Sequence, residues 1–133
     1  MKIGIFLGHP AHFYIFKNVL IAFDKKGVDY SIVIKKKDLL EDILKISGYT
    51  YTIIREGRSD SKLGMLYSVL KMESGMVRFI SKNKINLLIG SSLSFAGRVI
   101  SRINVVAVSE DDAIVVPNYA KLVYPFANNV LSP

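Results

Sequence analysis

Cysteine and tryptophan are absent from the 133 residues, and histidine occurs only twice. Without cysteine the chain has no disulfide framework, no thiolate zinc site and no nucleophilic thiol. The two histidines, His9 and His12, are three residues apart with no carboxylate nearby, a poor ligand set, so no metal is expected. Long apolar runs are also missing: hydrophobic segments are short and interrupted, too short to span a bilayer. The amino end enters an apolar strand directly, without a basic stretch and a long hydrophobic region of the signal-peptide kind, so a cytoplasmic location is expected.

What remains is a globular composition, 50% hydrophobic and 22% charged, of a length that suits a single domain spanning residues 1–133. The formal net charge of +7 fits an anionic partner, yet aromatic residues do not interleave with the basic ones and no recognition-helix pattern occurs. Nucleic acid is therefore not expected as a partner. The dense run Lys35-Lys36-Lys37 reads as a solvated loop after a strand.

The chain is organised around Phe6 to Phe16, where an apolar strand stops at Gly8-His9-Pro10-Ala11-His12 and a helical pattern begins. Ile3, Ile5 and Leu7 share one strand face and Phe6 lies on the other. Gly8 reads as the residue that permits the turn and Pro10 as a first helical position. Phe13, Phe16, Leu20 and Phe23 then follow at three-and-four spacing, and Lys25, Lys26 and Gly27 close the helix.

The same strand-then-helix unit recurs. Strands are expected at 2–7, 29–34, 50–54, 86–90, 104–108 and 129–131. Helices are expected after the first, from an Asp38/Glu41 capping-box spacing to Gly48, from Leu63 to Asn83, from Phe95 to Arg102 with Ser94 as cap, and from Pro117 to Phe126. Such alternation gives a Rossmann-like three-layer α/β/α sandwich around a parallel sheet, ordered 3-2-1-4-5-6. In that order the loops Gly8–His12, Gly90–Ser94 and Ser109–Asp112 share the crevice at the carboxyl edge of the sheet.

Several chemistries are disfavoured by what these loops lack. There is no G-x-G-x-x-G and no acidic residue ending the second strand, which argues against a dinucleotide; there is no phosphate loop and no G-x-S-x-G elbow. His9 is the first choice for a general base and His12 the second, with Glu110 or Asp112 orienting it; Gly8, Pro10, Gly90, Ser91, Ser92 and Ser94 are the candidate ligand contacts. Either histidine could instead cap the helix or pack beneath it, and the serines could simply cap. On the helix from Leu63, the residues Leu63, Met65, Leu66, Tyr67, Val69, Leu70 and Met72 are more apolar than one buried stripe requires, with Lys62 and Lys71 nearby. They either meet a membrane surface or a partner, or all pack inward.

Met1-Lys2-Ile3 leading into His9-Pro10-Ala11-His12, then Phe16-Lys17-Asn18, Gly48-Tyr49 and Gly90-Ser91-Ser92, resembles the prokaryotic family called domain of unknown function 354. That family is similar to glycosyltransferases of the two-Rossmann-domain (GT-B) type and, in plan, to UDP-N-acetylglucosamine 2-epimerases. The resemblance covers essentially the whole chain and implies that it is the amino-terminal half of a longer protein. It would be the acceptor side of a sugar-nucleotide-dependent transferase, inactive alone, with the sugar nucleotide bound as substrate mostly by the carboxy-terminal domain and no further cofactor. It also leaves room for a homodimer and for a peripheral contact with the inner face of the membrane. Phe6 stands where members of the family tend to carry an aspartate, whereas the acidic run at Ser109-Glu110-Asp111-Asp112 is kept. The alternatives are a UDP-sugar 2-epimerase-like domain and a non-catalytic Rossmann-like module that holds an anionic metabolite.

Overall fold

The computed structural model describes residues 1–36, 38–54, 62–90, 95–109 and 117–131. The described strands are β1 (Ile3–Leu7), β2 (Tyr30–Lys35), β3 (Tyr51–Ile54), β4 (Leu87–Gly90), β5 (Asn104–Val108) and β6 (Asn129–Leu131). The helices are α1 (Pro10–Lys26), α2 (Asp38–Ile46), α3 (Lys62–Asn83) and α4 (Pro117–Val123), with a π-helix at Ala96–Ile100 and a 3-10 turn at Tyr124–Phe126. All six strands form one sheet in the order β3-β2-β1-β4-β5-β6, and every pairing is parallel. This is the Rossmann-like order expected from the alternation of strands and helices.

β1 is central and buried over its whole length, because it pairs on both edges and is covered on both faces. Its odd residues Ile3, Ile5 and Leu7 join Phe13, Phe16 and Leu20 of α1 and Leu40 and Leu44 of α2 in one core. Phe6 points the other way, into a second core with Met76, Phe79 and Ile80 of α3 and with Leu88 and Val105. The alternation read in the sequence thus separates two apolar layers.

Local chemistry sets the ends of the elements. α1 stops at Gly27, whose φ of 62° is left-handed, with Val28 N–H donating to the Phe23 carbonyl. α2 begins with Asp38 already inside its first turn, rather than as the cap that the Asp38/Glu41 spacing suggests; its charge still favours the helix amino end. Gly75, a weak residue for a helix interior, is where α3 meets β3: a Cβ there would lie 2.7 Å from Ile54 Cγ2.

The largest difference from expectation follows β4. An α-helix from Phe95 to Arg102 is expected, but the chain forms a five-residue π-helix in which Ser101 N–H donates to the Ala96 carbonyl. In this wider turn Gly97 packs against β5, where a Cβ would come within 2.7 Å of Val105 Cγ2. Ser94, expected to cap it, lies outside the described residues. No helix among the described residues is long and apolar enough to cross a membrane.

Candidate functional site

The carboxyl ends of β1, β4 and β5 lie side by side, since β1 pairs with β4 and β4 with β5. Leu7, Gly90 and Val108 therefore end on one edge, at the point where the strand order turns from β1-β2-β3 to β4-β5-β6. The closeness there is enforced by Gly90. Its φ is 143°, and an added Cβ would overlap the Phe6 carbonyl, so β1 and β4 reach the crevice in direct backbone contact only because residue 90 has no side chain.

Gly8 leaves β1 with an ordinary backbone conformation, not the special φ that a turn glycine usually supplies. What it supplies is room: a Cβ would sit 3.2 Å from the Phe6 ring and 3.6 Å from the His12 ring. Its N–H donates to His12 Nδ1 at 2.9 Å, so His12, half-buried, closes the strand-to-helix turn. His9 is the N-cap of α1, extended at φ −147° and ψ 152°, and its Nδ1 accepts from Ala11 N–H at 3.2 Å. His9 is exposed, and its Nε2 has no protein partner among the described residues. The two rings are 6.2 Å apart, and Pro10 starts the helix between them.

These bonds decide what the imidazoles can offer. A backbone N–H is always a donor, so each Nδ1 it meets is an acceptor, and the neutral ring carries its proton on Nε2. A neutral His9 thus carries an N–H on an exposed ring nitrogen that makes no protein contact among the described residues. To serve as a base at Nε2 it would have to hold its proton on Nδ1, against the Ala11 N–H. The structure shows the capping role for His9, through Nδ1, and leaves its Nε2 without a protein partner among the described residues.

Of the remaining candidates, Ser91, Ser92, Ser94, Glu110 and Asp112 lie outside the described residues. Ser109, immediately before the acidic run, is buried, and its N–H donates to the Leu131 carbonyl at 2.8 Å, which ties the end of β5 to β6. Among the described residues no cluster of three or more histidine and acidic side chains could hold a metal ion.

One buried acid is missing from the sequence-derived set. Glu73 of α3 is buried at 8% exposure, and its Oε2 accepts from Ala96 N–H at 2.7 Å, at the start of the π-helix that follows β4. Burial pushes its carboxyl up to about 7 from an ordinary 4.5, and the Ala96 N–H opposes that rise only partly. The signal was present in the spacing: Glu73 is the single acid of α3 and falls beside Met72, Met76 and Ile80, on the helix face that packs inward.

At the opposite edge of the sheet, Tyr30 donates to Asp24 Oδ1 at 2.6 Å and Tyr49 to Asp24 Oδ2 at 3.5 Å. Burial and the Asp24 carboxylate raise the pKa of both phenols. This cluster fastens the end of α1 to the starts of β2 and β3, away from the crevice.

The sheet order, the two-sided core and a crevice at the strand reversal define a Rossmann-like domain of the kind found in GT-B proteins. Solved structures bear this out. A protein assigned as a UDP-N-acetylglucosamine 2-epimerase from Listeria monocytogenes matches 99% of the chain with a TM-score of 0.77 at 13% identity, over 38% of its own length. The UDP-GlcNAc 2-epimerase from Neisseria meningitidis, solved bound to UDP-GlcNAc, matches 96% at a TM-score of 0.72 and 13% identity, over 39% of its length. The spinosyn rhamnosyltransferase SpnG, complexed with thymidine diphosphate, matches 99% at a TM-score of 0.62 and 17% identity, over 44%. The chain thus spans about two fifths of the length of the structures it matches. No protein-family model and no curated protein matches the sequence, so the resemblance to domain of unknown function 354 stands on its motifs alone.

Proposed function

We propose that this chain is the acceptor-side, amino-terminal domain of a sugar-nucleotide-dependent glycosyltransferase of the GT-B kind. The observation that carries this reading is the β1–α1 loop at the strand reversal, where His9 keeps Nε2 available beside a crevice floored by Gly90. The fold neighbours include proteins solved with UDP-GlcNAc and with thymidine diphosphate, which supports a nucleotide sugar as the ligand class. Within this reading His9 donates to an oxygen of the acceptor or of the leaving diphosphate, His12 holds the loop, and the acidic run Glu110 to Asp112 supplies the proton acceptor. The donor nucleotide is held mostly by a second Rossmann-like domain, on the same or another polypeptide.

Amide NMR of the 133-residue chain during titration with UDP-GlcNAc and thymidine diphosphate tests this reading. The expected result is weak, saturable shifts at Gly8, His9, Ala11 and Gly90. Shifts absent from that loop at millimolar ligand would overturn it. A UDP-sugar 2-epimerase would use the same loops without an acceptor, and product analysis with the second domain present separates the two: a new glycoside for the transferase, the epimeric sugar nucleotide for the epimerase.

A further inference from the structure

The half of α3 that faces away from the core presents Leu63, Leu66, Tyr67 and Leu70 to solvent, at 57–82% exposure. The surplus of apolar residues noted in the sequence therefore does not all pack inward. Below them the same helix continues with Lys71, Arg78 and Lys82, and together with β3 it walls a groove of about 740 Å³.

β3 is the outermost strand, paired with β2 on one side and with no strand on the other among the described residues. Thr52 and Ile53 are exposed along it. Its outer main-chain N–H and C=O groups are thus open to a further strand. From Tyr67 to Lys82 the helical wall runs about 22 Å at 1.5 Å per residue. That is room for roughly six or seven extended residues at about 3.3 Å each.

Among the described residues that line the groove, Lys71, Arg78 and Lys82 are charged and none is acidic; the single acid of α3, Glu73, is buried against Ala96. An edge strand beside a helix-walled groove is the arrangement in which proteins capture extended peptides by strand addition, with main-chain bonds on one wall and side-chain pockets on the other. A bilayer would meet the apolar helix residues but leave the strand edge unsatisfied.

We propose that the groove between β3 and α3 binds an extended acidic peptide, which adds to β3 as a further strand, sets its apolar residues on Tyr67 and Leu70 and pairs its carboxylates with Lys71, Arg78 and Lys82. The site is separate from the crevice at the strand reversal, and neither depends on the other.

The test uses the 133-residue chain with labelled seven-residue probes: one alternating glutamate and valine, one alternating lysine and valine, and one of the acidic charge with its central valines replaced by proline. Vesicles of phosphatidylcholine with and without phosphatidylglycerol form a second arm. Expected are saturable binding of the acidic probe, at least about tenfold weaker binding of the other two, and slowed amide exchange at residues 51–54 in the complex. The Arg78→Glu/Lys82→Glu double variant should lose about tenfold in affinity while melting as the parent does. Equal binding of the proline probe, unchanged exchange at 51–54, no binding, or uptake by anionic vesicles that the acidic probe does not compete would each overturn the proposal.

Discussion

Glu73 and Ala96 are joined across the second core by a 2.7 Å hydrogen bond, in which a buried carboxylate accepts the N–H that opens the segment after β4. The acid ties α3 to the start of the π-helix, and it does so with a group that burial raises to about 7, so that its charge is in balance near neutral pH.

The first prediction follows from that balance. In the folded chain the Glu73 carboxyl is raised to about 7, above its ordinary 4.5, so folding favours the protonated form. Its contribution is therefore fully present below pH 4.5 and is lost as pH rises through 7. Glu73→Gln keeps an oxygen for the Ala96 N–H and removes the charge. It should be more stable than the parent by about 1–2 kcal/mol at pH 8 and nearly equal at pH 5. Urea midpoints at pH 5, 6.5 and 8 measure this; parallel curves for the two proteins would contradict it.

Two variants divide the work of the histidines. His12→Ala leaves the Gly8 N–H without its acceptor inside the turn and should cost about 1–2 kcal/mol in thermal or urea melts. His9→Asn retains a capping side chain, so its melting should stay within about 0.5 kcal/mol of the parent. It nevertheless removes Nε2, and in an assay with the second domain present turnover should fall by about 10²-fold or more. Full activity of His9→Asn would reduce His9 to a cap.

Gly75 makes a coupling prediction. Alanine normally improves a helix interior by about 0.5–1 kcal/mol over glycine. Here Gly75→Ala should destabilise instead, because the new methyl meets Ile54 Cγ2. In an Ile54→Ala background, where that methyl group is gone, the same change should be neutral or favourable. A double-mutant cycle read by chemical denaturation gives the coupling directly, and additive effects would show that the two residues do not touch in solution.

The fourth prediction concerns completeness. The 133-residue chain alone should turn over no UDP- or dTDP-sugar, whereas a polypeptide carrying the second Rossmann-like domain should. Radiolabelled sugar release by each is the measurement, and robust turnover by the single domain would refute the proposed division of labour.

Most of the architecture was legible because it rests on periodicity. The alternation of Ile3, Ile5 and Leu7 with Phe6, and the spacing of Phe13, Phe16 and Leu20, report directly which face is buried, and the strand order follows from the handedness of crossovers. Features that depend on contacts distant in sequence were not legible. Gly97 gives no local hint that Val105 will sit against it and favour a π-helix, and Gly8 reads as a turn residue although its role is to admit the Phe6 and His12 rings. The β1–α1 loop could be singled out as a candidate from its residue types, but the direction of each imidazole could not. That direction is set by which backbone N–H each Nδ1 meets, which leaves the proton of a neutral ring on Nε2.

The central position of β1 also fixes an order of events during synthesis. Its first neighbour, β2, ends at Lys35, while its second, β4, does not begin until Leu87. Until then β1, buried along its whole length in the finished fold, has one edge open. At roughly 5–20 residues per second, that interval lasts several seconds on the ribosome. Half of the sheet must therefore wait for the strand that completes it, with an edge of its central, apolar strand uncovered in the meantime.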